Sequence, residues 1–440
     1  MRFIFTLVIA LSLTGCHSLQ HRLSWISSVL NSASSAKHPS QAEIDDFFAF
    51  APQEGHPFLT TEFQSHVDVR TNSRLTVGNQ IDLLPNAQSG DLKLALIDKA
   101  TTSIYITTFQ IVCDEVGKQF TEALISAAKR GVEIRFLVTG GPWTWAFSGN
   151  CPSKMRKNGI EVATMPYSYI TNHGVVQLHD KIFIIDSSLA IVGGQNIGTW
   201  YAKKKEADGN FRDTDAIVSG PVIEDIRARF AMLWRFAKPS DNTLKKGPPL
   251  KIEREKYASW LQMKPLKGVC RFVSQTPSQK EFLVFESYRL HALQTQKRLI
   301  FHSLALNAFG SPEQENLWRS FNDISKEPGS EIFLLTNGPG FINSDMMPSW
   351  VGRIVGYYFL NSVYDSLKGT AVKGFAYPAW LHSKVYFFDN LAIGIGSFNF
   401  DETGLVWTES TLICLDTELI KQTLRMFKSD LASSYNIKAI

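Results

Sequence analysis

The chain lacks a strong net charge. Its 440 residues carry 45 Lys and Arg against 41 Asp and Glu, which leaves a formal charge of only +4. Proteins that bind the phosphate backbone of nucleic acids usually present a clustered basic face, so this balance gives no reason to expect a nucleic-acid partner. Collagen-like composition is absent too, and the apolar content is that of a globular protein long enough for two domains.

Cysteine is also scarce. None of the five cysteines forms a CxxC pair or a Cys/His spacing of the kind that binds zinc. Four of them lie beyond the N-terminal segment, at positions 113, 151, 270 and 414. In an oxidising compartment a Cys113–Cys151 bridge is conceivable, and buried free thiols are the alternative. The sequence does not choose between these pairings.

Long apolar runs are missing except at the N-terminus. Arg2 precedes the apolar run Phe3–Leu13, which is too short to span a bilayer as a helix and has the length of a signal-peptide core. The run ends in Leu-Thr-Gly-Cys, which resembles a bacterial lipobox, so residues 1–15 are predicted to be a signal peptide and Cys16 the lipidated first residue of the mature protein. An ordinary cleaved signal peptide is the alternative. The lipid-anchored interpretation places the protein in a bacterial cell envelope, and His17 after Cys16 favours the outer membrane.

A pattern that occurs twice dominates the rest of the chain. It comprises a His, a Lys, an Asp and an Asn, at offsets of 2, 7 and 17 residues from the His in both copies. The two copies are listed in order: His179, Lys181, Asp186 and Asn196, then His382, Lys384, Asp389 and Asn399. The repeat distance of 203 residues indicates a duplicated domain rather than a solenoid.

Strand periodicity suggests what the repeated residues do. The apolar run after each Lys predicts a strand, on which positions two apart face the same side, so His179 and Lys181 project together. An imidazole beside an ammonium group suits an anionic substrate such as a phosphate. Asp186 and Asp389 have an odd offset, so a regular strand turns them away, and we expect them to brace the following turn. The other histidines are interpreted as packed side chains or tether residues.

Each copy continues into a turn of small residues and then an acid. The turns are Gly193-Gly194-Gln195-Asn196 and Gly396-Ser397-Phe398-Asn399, in which small residues allow close approach to a ligand and Asn can donate to a phosphate oxygen. A catalytic His needs an acceptor at its second ring nitrogen. Asp213 or Asp215 is a candidate for one copy and Glu409 for the other.

The segments around the motifs follow a strand–helix–strand order in both halves, which predicts an α/β fold. The expected divisions are a tether over 16–80, a first half over 81–237, a linker over 238–265 and a second half over 266–440. Helices are expected over 91–99, 117–130, 222–237 and 311–326. Aromatic residues near the motifs, including Trp143, Trp350 and the apolar stretch 350–364, suit either a lipid–water boundary or core packing.

The two HxKxxxxD blocks, followed by GGxN and GSxN, resemble the phospholipase D superfamily, over roughly residues 85–435. Val192–Gly198 and Ile395–Asp401 are similar to its bacterial cardiolipin synthase-like branch. The resemblance implies two mixed-sheet α/β halves about a pseudo-twofold axis, with both His-Lys pairs in one cleft. It also implies a phosphohistidine intermediate and no metal or cofactor. The implied catalytic residues are the six His, Lys and Asp residues of the motifs, with His179 as nucleophile and His382 as general acid/base, although the reverse assignment stays open.

The resemblance also implies supporting residues and limits. Lys181, Lys384, Asn196 and Asn399 are expected to hold phosphoryl oxygens, with Ser397 and the candidate acids nearby. The family usually has an Asn shortly before the second acid, and Trp407-Thr408-Glu409 lacks it. The presence of both motif Asp residues and of two motifs in one chain argues against the nuclease branches, so membrane phospholipid is the expected substrate.

Three functions stay open at this point. The first is a phosphatidyltransferase of the cardiolipin synthase type, the second a phospholipase D that uses water as acceptor, and the third a non-catalytic lipoprotein that binds anionic lipid. The intact His-Lys pairs argue against the third. The sequence leaves the oligomeric state unknown.

Overall fold

The computed structural model describes most of the chain between residues 55 and 437, together with Ala42. The residues in this span that it does not describe are 142–147, 166–176, 203–210, 239–240, 242, 245–250, 277–281, 304–322, 324–325, 327–330, 338–371, 401–403 and 406. The expected signal peptide, Cys16, the helix over 311–326 and the aromatic residues near 143–147 and 350–364 therefore lie outside the described residues, apart from Asp323 and Lys326.

The first half alternates strands and helices as the sequence predicts. Its helices are α2 (Ala87–Lys99), α3 (Glu115–Lys129), α4 (Cys151–Lys157), α5 (Thr199–Ala202) and α6 (Ile223–Ala237), after α1 (Thr61–Thr71). Its strands are β1 (Gln80–Pro85), β2 (Ser103–Thr108), β3 (Glu133–Thr139), β4 (Glu161–Met165), β5 (Ile182–Ile185), β6 (Leu189–Gly193), β7 (Phe211–Arg212) and β8 (Thr214–Ser219). Helix α3 begins at the N-cap Asp114, which accepts from the Gly117 N–H, and Gly131 follows its end at a positive φ of 91°.

The second half repeats this order. Its helices are α7 (Tyr257–Leu261), α8 (Leu283–Leu293) and α9 (Thr417–Ser433). Its strands are β9 (Val269–Gln275), β10 (Arg298–His302), β11 (Glu331–Asn337), β12 (Lys373–Tyr377), β13 (Trp380–Leu381), β14 (Val385–Phe388), β15 (Ala392–Gly396), β16 (Glu409–Leu415) and β17 (Tyr435–Asn436).

The two main sheets have the same topology. The first runs β1-β8-β6-β5-β2-β3-β4, and the second runs β9-β16-β15-β14-β10-β11-β12 with β17 added at its edge. In each sheet three neighbouring strands are parallel and the rest antiparallel, so both are mixed. The expected duplicated α/β fold with two mixed-sheet halves is confirmed.

The central strands of both sheets are buried on both faces. Strands β2 and β14 are buried throughout, as sheets covered by helices on both sides require. One apolar cluster joins the two sheets through α6 and α9, with Phe230, Trp234 and Phe427 at its centre. Two further clusters lie on the outer faces, one under α2, α3 and α4 and the other under α1, α7 and α8. Helices α6 and α9 therefore close the space between the halves.

The region expected to be a tether differs from the prediction. Residues 57–71 form a short 3-10 helix and α1, and Phe58 and Val67 are fully buried against the second sheet. Arg271 of β9 is fully buried and binds Asp68 of α1 at 3.0 Å. Helix α1 was not predicted because its apolar residues show little helical periodicity. Buried polar contacts hold this helix as much as an apolar face does. The expected linker is likewise partly folded, since α7 packs on α1.

The four cysteines of the described residues form two disulfides. Cys113 pairs with Cys151, which links the start of α3 to α4, and Cys270 pairs with Cys414 across the β9–β16 ladder. The first disulfide is the one considered from the sequence. The second joins the paired strands β9 and β16, whose cysteines are 144 residues apart in the chain. In the described part of the chain, no helix combines the length and apolar character needed to cross a bilayer.

Candidate active site

Each His-Lys motif is held by a strand of the other half. The His179 N–H donates to the Thr408 carbonyl at 3.1 Å, and the Thr408 N–H donates back to Gln177. In the second motif, β13 pairs in parallel with β7, and the His382 N–H donates to the Arg212 carbonyl at 2.8 Å. Both motifs therefore lie at the seam between the halves.

Each histidine ring is also bound by an acid of the other half. Nδ1 of His179 lies 2.8 Å from Oε1 of Glu409, and Nδ1 of His382 lies 2.6 Å from Oδ2 of Asp213. A carboxylate only accepts, so it places the ring N–H at Nδ1 and leaves the Nε2 lone pair available. The exchange of acids between halves makes the site one unit.

The motif lysines are buried beside the histidines. Lys181 and Lys384 are 4% and 0% exposed, and each ammonium donates to the carbonyl of its own motif histidine. Nζ of Lys181 also lies 5.8 Å from the centre of the Phe109 ring. Two cations held in a desolvated seam favour an anionic ligand.

Electrostatic effects show that the two motifs share one site. Burial lowers the pKa of His179 well below its usual value, and the charges of Lys181, Lys384 and His382 lower it further. Burial likewise lowers the pKa of Lys181 to about 7. These mutual influences agree with the contacts between the halves, in which Glu409 binds His179 and Asp213 binds His382, so both pairs lie at the same seam.

The two acids have raised pKa values. Burial raises the pKa of Glu409 to about 8, and it raises that of Asp213 to about 6, while nearby lysines partly oppose both shifts. The Ser397 hydroxyl donates to Glu409, and the Thr214 N–H donates to Asp213 at 2.7 Å. Ser397 therefore supports the acid, and the choice that the sequence left open between Asp213 and Asp215 goes to Asp213.

Aromatic rings enclose both histidines, which the sequence analysis missed. Phe109 and Trp407 lie 5.5 and 5.0 Å from His179, centre to centre. Tyr201 and Phe211 lie 5.4 and 5.6 Å from His382. Trp407 and Phe211 each lie two residues before an acid, a spacing that repeats in both halves. These rings limit access of water to the imidazoles.

The glycines of the two turns lie close to the segments that carry the acids. A Cβ on Gly193 would lie 2.2 Å from Oδ1 of Asp215, and one on Gly194 would lie 2.2 Å from Oδ1 of Asp213. At Gly396 it would lie 2.2 Å from the Ser410 carbonyl oxygen. A side chain at any of these three positions would therefore collide with the segment that carries or adjoins the acid.

Asp186 and Asp389 point away from the histidines and brace the turn that follows each motif strand, as strand parity predicts. Both begin a turn at positive φ, 48° and 51°. Asp186 accepts from the N–H groups of Thr101, Thr102 and Ser103, at the end of β2 opposite to His179. These hydrogen bonds lower the pKa of Asp186 although burial raises it.

Two of the three remaining candidates, Asp215 and Asn196, bind neighbouring protein groups. Asp215 accepts from Ser89, Lys93 and the Gln195 N–H. The Asn196 amide joins Thr108, Gln110 and Tyr201, so it braces the loop beside His382. Asn399 is buried, and its Oδ1 has no hydrogen-bond partner among the described residues.

No group of three or more His, Cys, Asp or Glu side chains in the described ranges is arranged to hold a metal ion.

Comparisons with known proteins agree with this geometry. A family profile described as "Cardiolipin synthase, PLD-like domain" matches residues 94–234, within the first half. The cardiolipin synthase of Clostridium perfringens (strain SM101 / Type A) is 27% identical over 374 residues, which cover 82% of this chain and 72% of that protein. The cardiolipin synthase of Geobacillus kaustophilus (strain HTA426) is 24% identical over 384 residues, 83% of this chain and 70% of that protein.

A solved structure shares the fold. The phosphatidylserine synthase of Haemophilus influenzae Rd KW20 superposes with a TM-score of 0.60 at 13% identity, covering 85% of this chain and 91% of that one. At this identity the similarity establishes the fold. The profile match and the curated relatives show in addition that the chain is similar in sequence to cardiolipin synthases, over residues 94–234 for the profile and over most of the chain for the relatives.

Proposed function

We propose that this protein is a phosphatidyltransferase of the cardiolipin synthase type. It transfers a phosphatidyl group from one membrane phospholipid to an alcohol acceptor, such as the glycerol head group of phosphatidylglycerol. The curated relatives named above are cardiolipin synthases that align with most of this chain.

One observation supports this proposal above all others. Two buried imidazoles each have Nδ1 bound by an acid of the other half, and the two buried motif lysines donate to the carbonyls of these same histidines. A nucleophile and a proton carrier next to two ammonium groups suit an anionic substrate such as a phosphodiester. A protein that merely bound anionic lipid would need the lysines but not the two held histidines.

The reaction follows from this arrangement in two steps. His382 enters the first step as an imidazolium that carries a second proton, at Nε2. Nε2 of His179 attacks the phosphorus and an N–P bond forms, while the P–O bond to the leaving alcohol breaks and His382 gives its Nε2 proton to that oxygen. His382 then takes the proton of the acceptor hydroxyl, whose oxygen attacks the phosphorus and releases His179. Lys181 and Lys384 offset the negative charge of the phosphoryl oxygens. Water in place of the acceptor would give hydrolysis.

The test is lipid mass spectrometry after incubation of the protein with phosphatidylglycerol vesicles. Cardiolipin with released glycerol is the expected product, whereas phosphatidic acid would indicate hydrolysis and no turnover would contradict an enzymatic role. His179→Ala and His382→Ala should each lower the rate at least ~1,000-fold. His66→Ala is the matched control, because His66 is exposed on α1 and should leave the rate unchanged.

The roles of the two histidines have their own test. After a rapid alkaline quench during turnover, phosphohistidine should be found on the peptide that contains His179. The same adduct on the peptide that contains His382 would reverse the assignment.

We also propose that the protein is anchored in a bacterial envelope through a lipid on Cys16. The sequence around Cys16 supports this, and the two disulfides fit an oxidising compartment. Labelled palmitate should be incorporated by the full chain and not by Cys16→Ala. Equal labelling of both would contradict the anchor, and cell fractionation would test the outer-membrane placement.

A further inference from the structure

Helices α6 and α9, which pack between the two sheets, each contribute one member of a buried charge pair next to a His-Lys motif. In the first half, Arg229 of α6 donates from Nε and Nη2 to Asp180, at 3.0 and 2.9 Å. Asp180 lies between His179 and Lys181 in the chain. Arg229 also donates to the Gln275 carbonyl of the second half at 2.8 Å. This pair fixes the first motif directly.

The second motif has no such acid. Ser383 stands between His382 and Lys384, and its buried hydroxyl has no hydrogen-bond partner among the described residues. The charge pair here has the opposite polarity: Asp430 of α9 accepts from Nε and Nη2 of Arg212, both at 2.9 Å. The helix supplies the acid, and the guanidinium comes from the strand of the other half.

Arg212 connects this pair to the catalytic histidine. Its carbonyl accepts from the N–H groups of His382 and Ser383, at 2.8 and 3.1 Å. The next residue, Asp213, holds Nδ1 of His382. The Arg212 guanidinium also donates to the Asp213 carbonyl at 2.7 Å. A shift of Arg212 would therefore move both the main-chain support and the acid of His382.

We propose that Asp430 is a positioning residue for His382, acting through Arg212. This inference rests on the proposed function, in which His382 carries the proton. The side chains of Arg212 and Asp430 are 2% and 7% exposed, so loss of one partner leaves a buried charge unpaired. The Arg212–Asp430 pair sets the orientation of the His382 ring. The second motif needs this pair because it has Ser383 where the first motif has Asp180.

A cavity beside the pair allows a sharp test. It has a volume of about 540 Å³ and lies between β1 and α9, with Asn86, Arg212, Met426 and Asp430 among its lining residues. Removal of the Arg212 side chain would enlarge this open cavity. Free guanidinium should then enter and pair with Asp430, whereas urea, which has a similar shape and no charge, should not.

The experiment combines turnover with ring-nitrogen NMR of labelled histidine. Asp430→Asn should lower kcat ~10- to 100-fold with KM within ~2-fold, because misplacement of a reacting group affects chemistry more than binding. The Nδ1 resonance of His382 should shift while that of His179 stays in place. Arg212→Ala should show both changes, and millimolar guanidinium should reverse them. Asp416→Asn is the control, because Asp416 caps the same helix without contacting Arg212.

Several outcomes would overturn the proposal. Asp430→Asn with reduced stability but an unchanged kcat and His382 resonance would show a merely structural pair, as would an Asp416→Asn variant with the same shift. Rescue by urea as well as guanidinium would contradict a charge effect. If Arg212→Ala does not fold, Arg212→Lys with the NMR measurement replaces it. If the wild-type protein turns over no lipid, the proposed function fails, while the His382 resonance still decides the role of Asp430.

Discussion

The two halves differ most at the turn that follows each motif strand. Asp186 and Asp389 both begin this turn and both accept from three consecutive N–H groups. In the first half the Thr101 and Thr102 hydroxyls complete the shell at the surface. In the second half Asp389 is buried, and Nε2 of His56 lies 2.7 Å from it. The equal spacing of His and Asp in the two motifs thus gives the same backbone turn in both halves, whereas the side chains around the Asp differ.

The acids show the same divergence within the site itself. Asp213 and Glu409 perform one task with side chains of different length, and each follows its motif histidine at a different distance in sequence. Where the first half has Gly194, which leaves room for Asp213, the second half has Ser397, whose hydroxyl donates to Glu409. The halves therefore preserve the geometry at Nδ1 and reach it with different residues.

The largest expected effect comes from neutralising these acids. Asp213→Asn and Glu409→Gln should each lower turnover about 1,000- to 10,000-fold, because an amide can donate to Nδ1 and stabilise the wrong tautomer. Lipid mass spectrometry on phosphatidylglycerol vesicles measures the rate. Asp186→Asn should keep turnover within about threefold while the protein is folded, since that residue lies away from both rings. If either acid variant stayed within tenfold of wild type, the two halves would not be equivalent at Nδ1.

The pKa values predict how the two acids affect stability. A carboxyl group whose folded pKa is raised contributes stability that is present at low pH and lost as pH rises through the folded pKa. For Glu409 this loss runs from its ordinary value of 4.5 to about 8, and for Asp213 from 3.8 to about 6. Glu409→Gln should therefore gain stability relative to wild type over that range, by on the order of 5 kcal/mol at pH 9.

Urea unfolding at a series of pH values measures this effect. The gain for Asp213→Asn should be smaller and complete near pH 6, which separates the two halves. A stability difference that does not change between pH 4 and 9 would show that neither pKa is raised by burial.

The active site was more predictable than its surroundings. The repeated spacing located His179, Lys181, His382 and Lys384, and strand parity turned the motif aspartates away, because these features depend on local backbone geometry. The pairing of each His with the acid of the other half was not predictable, since contacts over 169 and 230 residues leave no periodicity. The duplication predicted that the two halves would share one fold, whereas the order of strands within each sheet was not predicted.

Buried polar contacts explain what the sequence concealed. The segment 57–71 has no clear apolar stripe, and it is held through His56, Asp68 and Arg271, each paired with a group far away in the chain. Polar residues in a weakly periodic segment predict a solvated tether unless their partners are known. The Arg212–Asp430 pair was missed for the same reason.

A smaller difference is expected at the two motif turns. His56→Ala removes the buried contact to Asp389 and the packing of its ring on Phe58, so it should lower the free energy of unfolding by about 2–3 kcal/mol. Thr102→Ala, the matched variant in the first half, removes one exposed hydrogen bond and should cost about 0.5–1 kcal/mol. Urea unfolding compares the two. Equal losses would show that the buried histidine adds nothing beyond the surface hydroxyl.

The smallest difference expected between the halves concerns their disulfides. Cys270–Cys414 closes a segment of 144 residues and Cys113–Cys151 one of 38. By loop entropy, replacing both cysteines with alanine should cost about 5 kcal/mol in the second half and about 4 kcal/mol in the first, a difference of about 1 kcal/mol. Urea unfolding of the oxidised proteins measures it, and unfolding under reducing conditions is the control, in which the difference should disappear. A first-half bridge that contributes as much as the second would mean that the contacts around each bridge, rather than the length of chain it closes, decide how much each half gains.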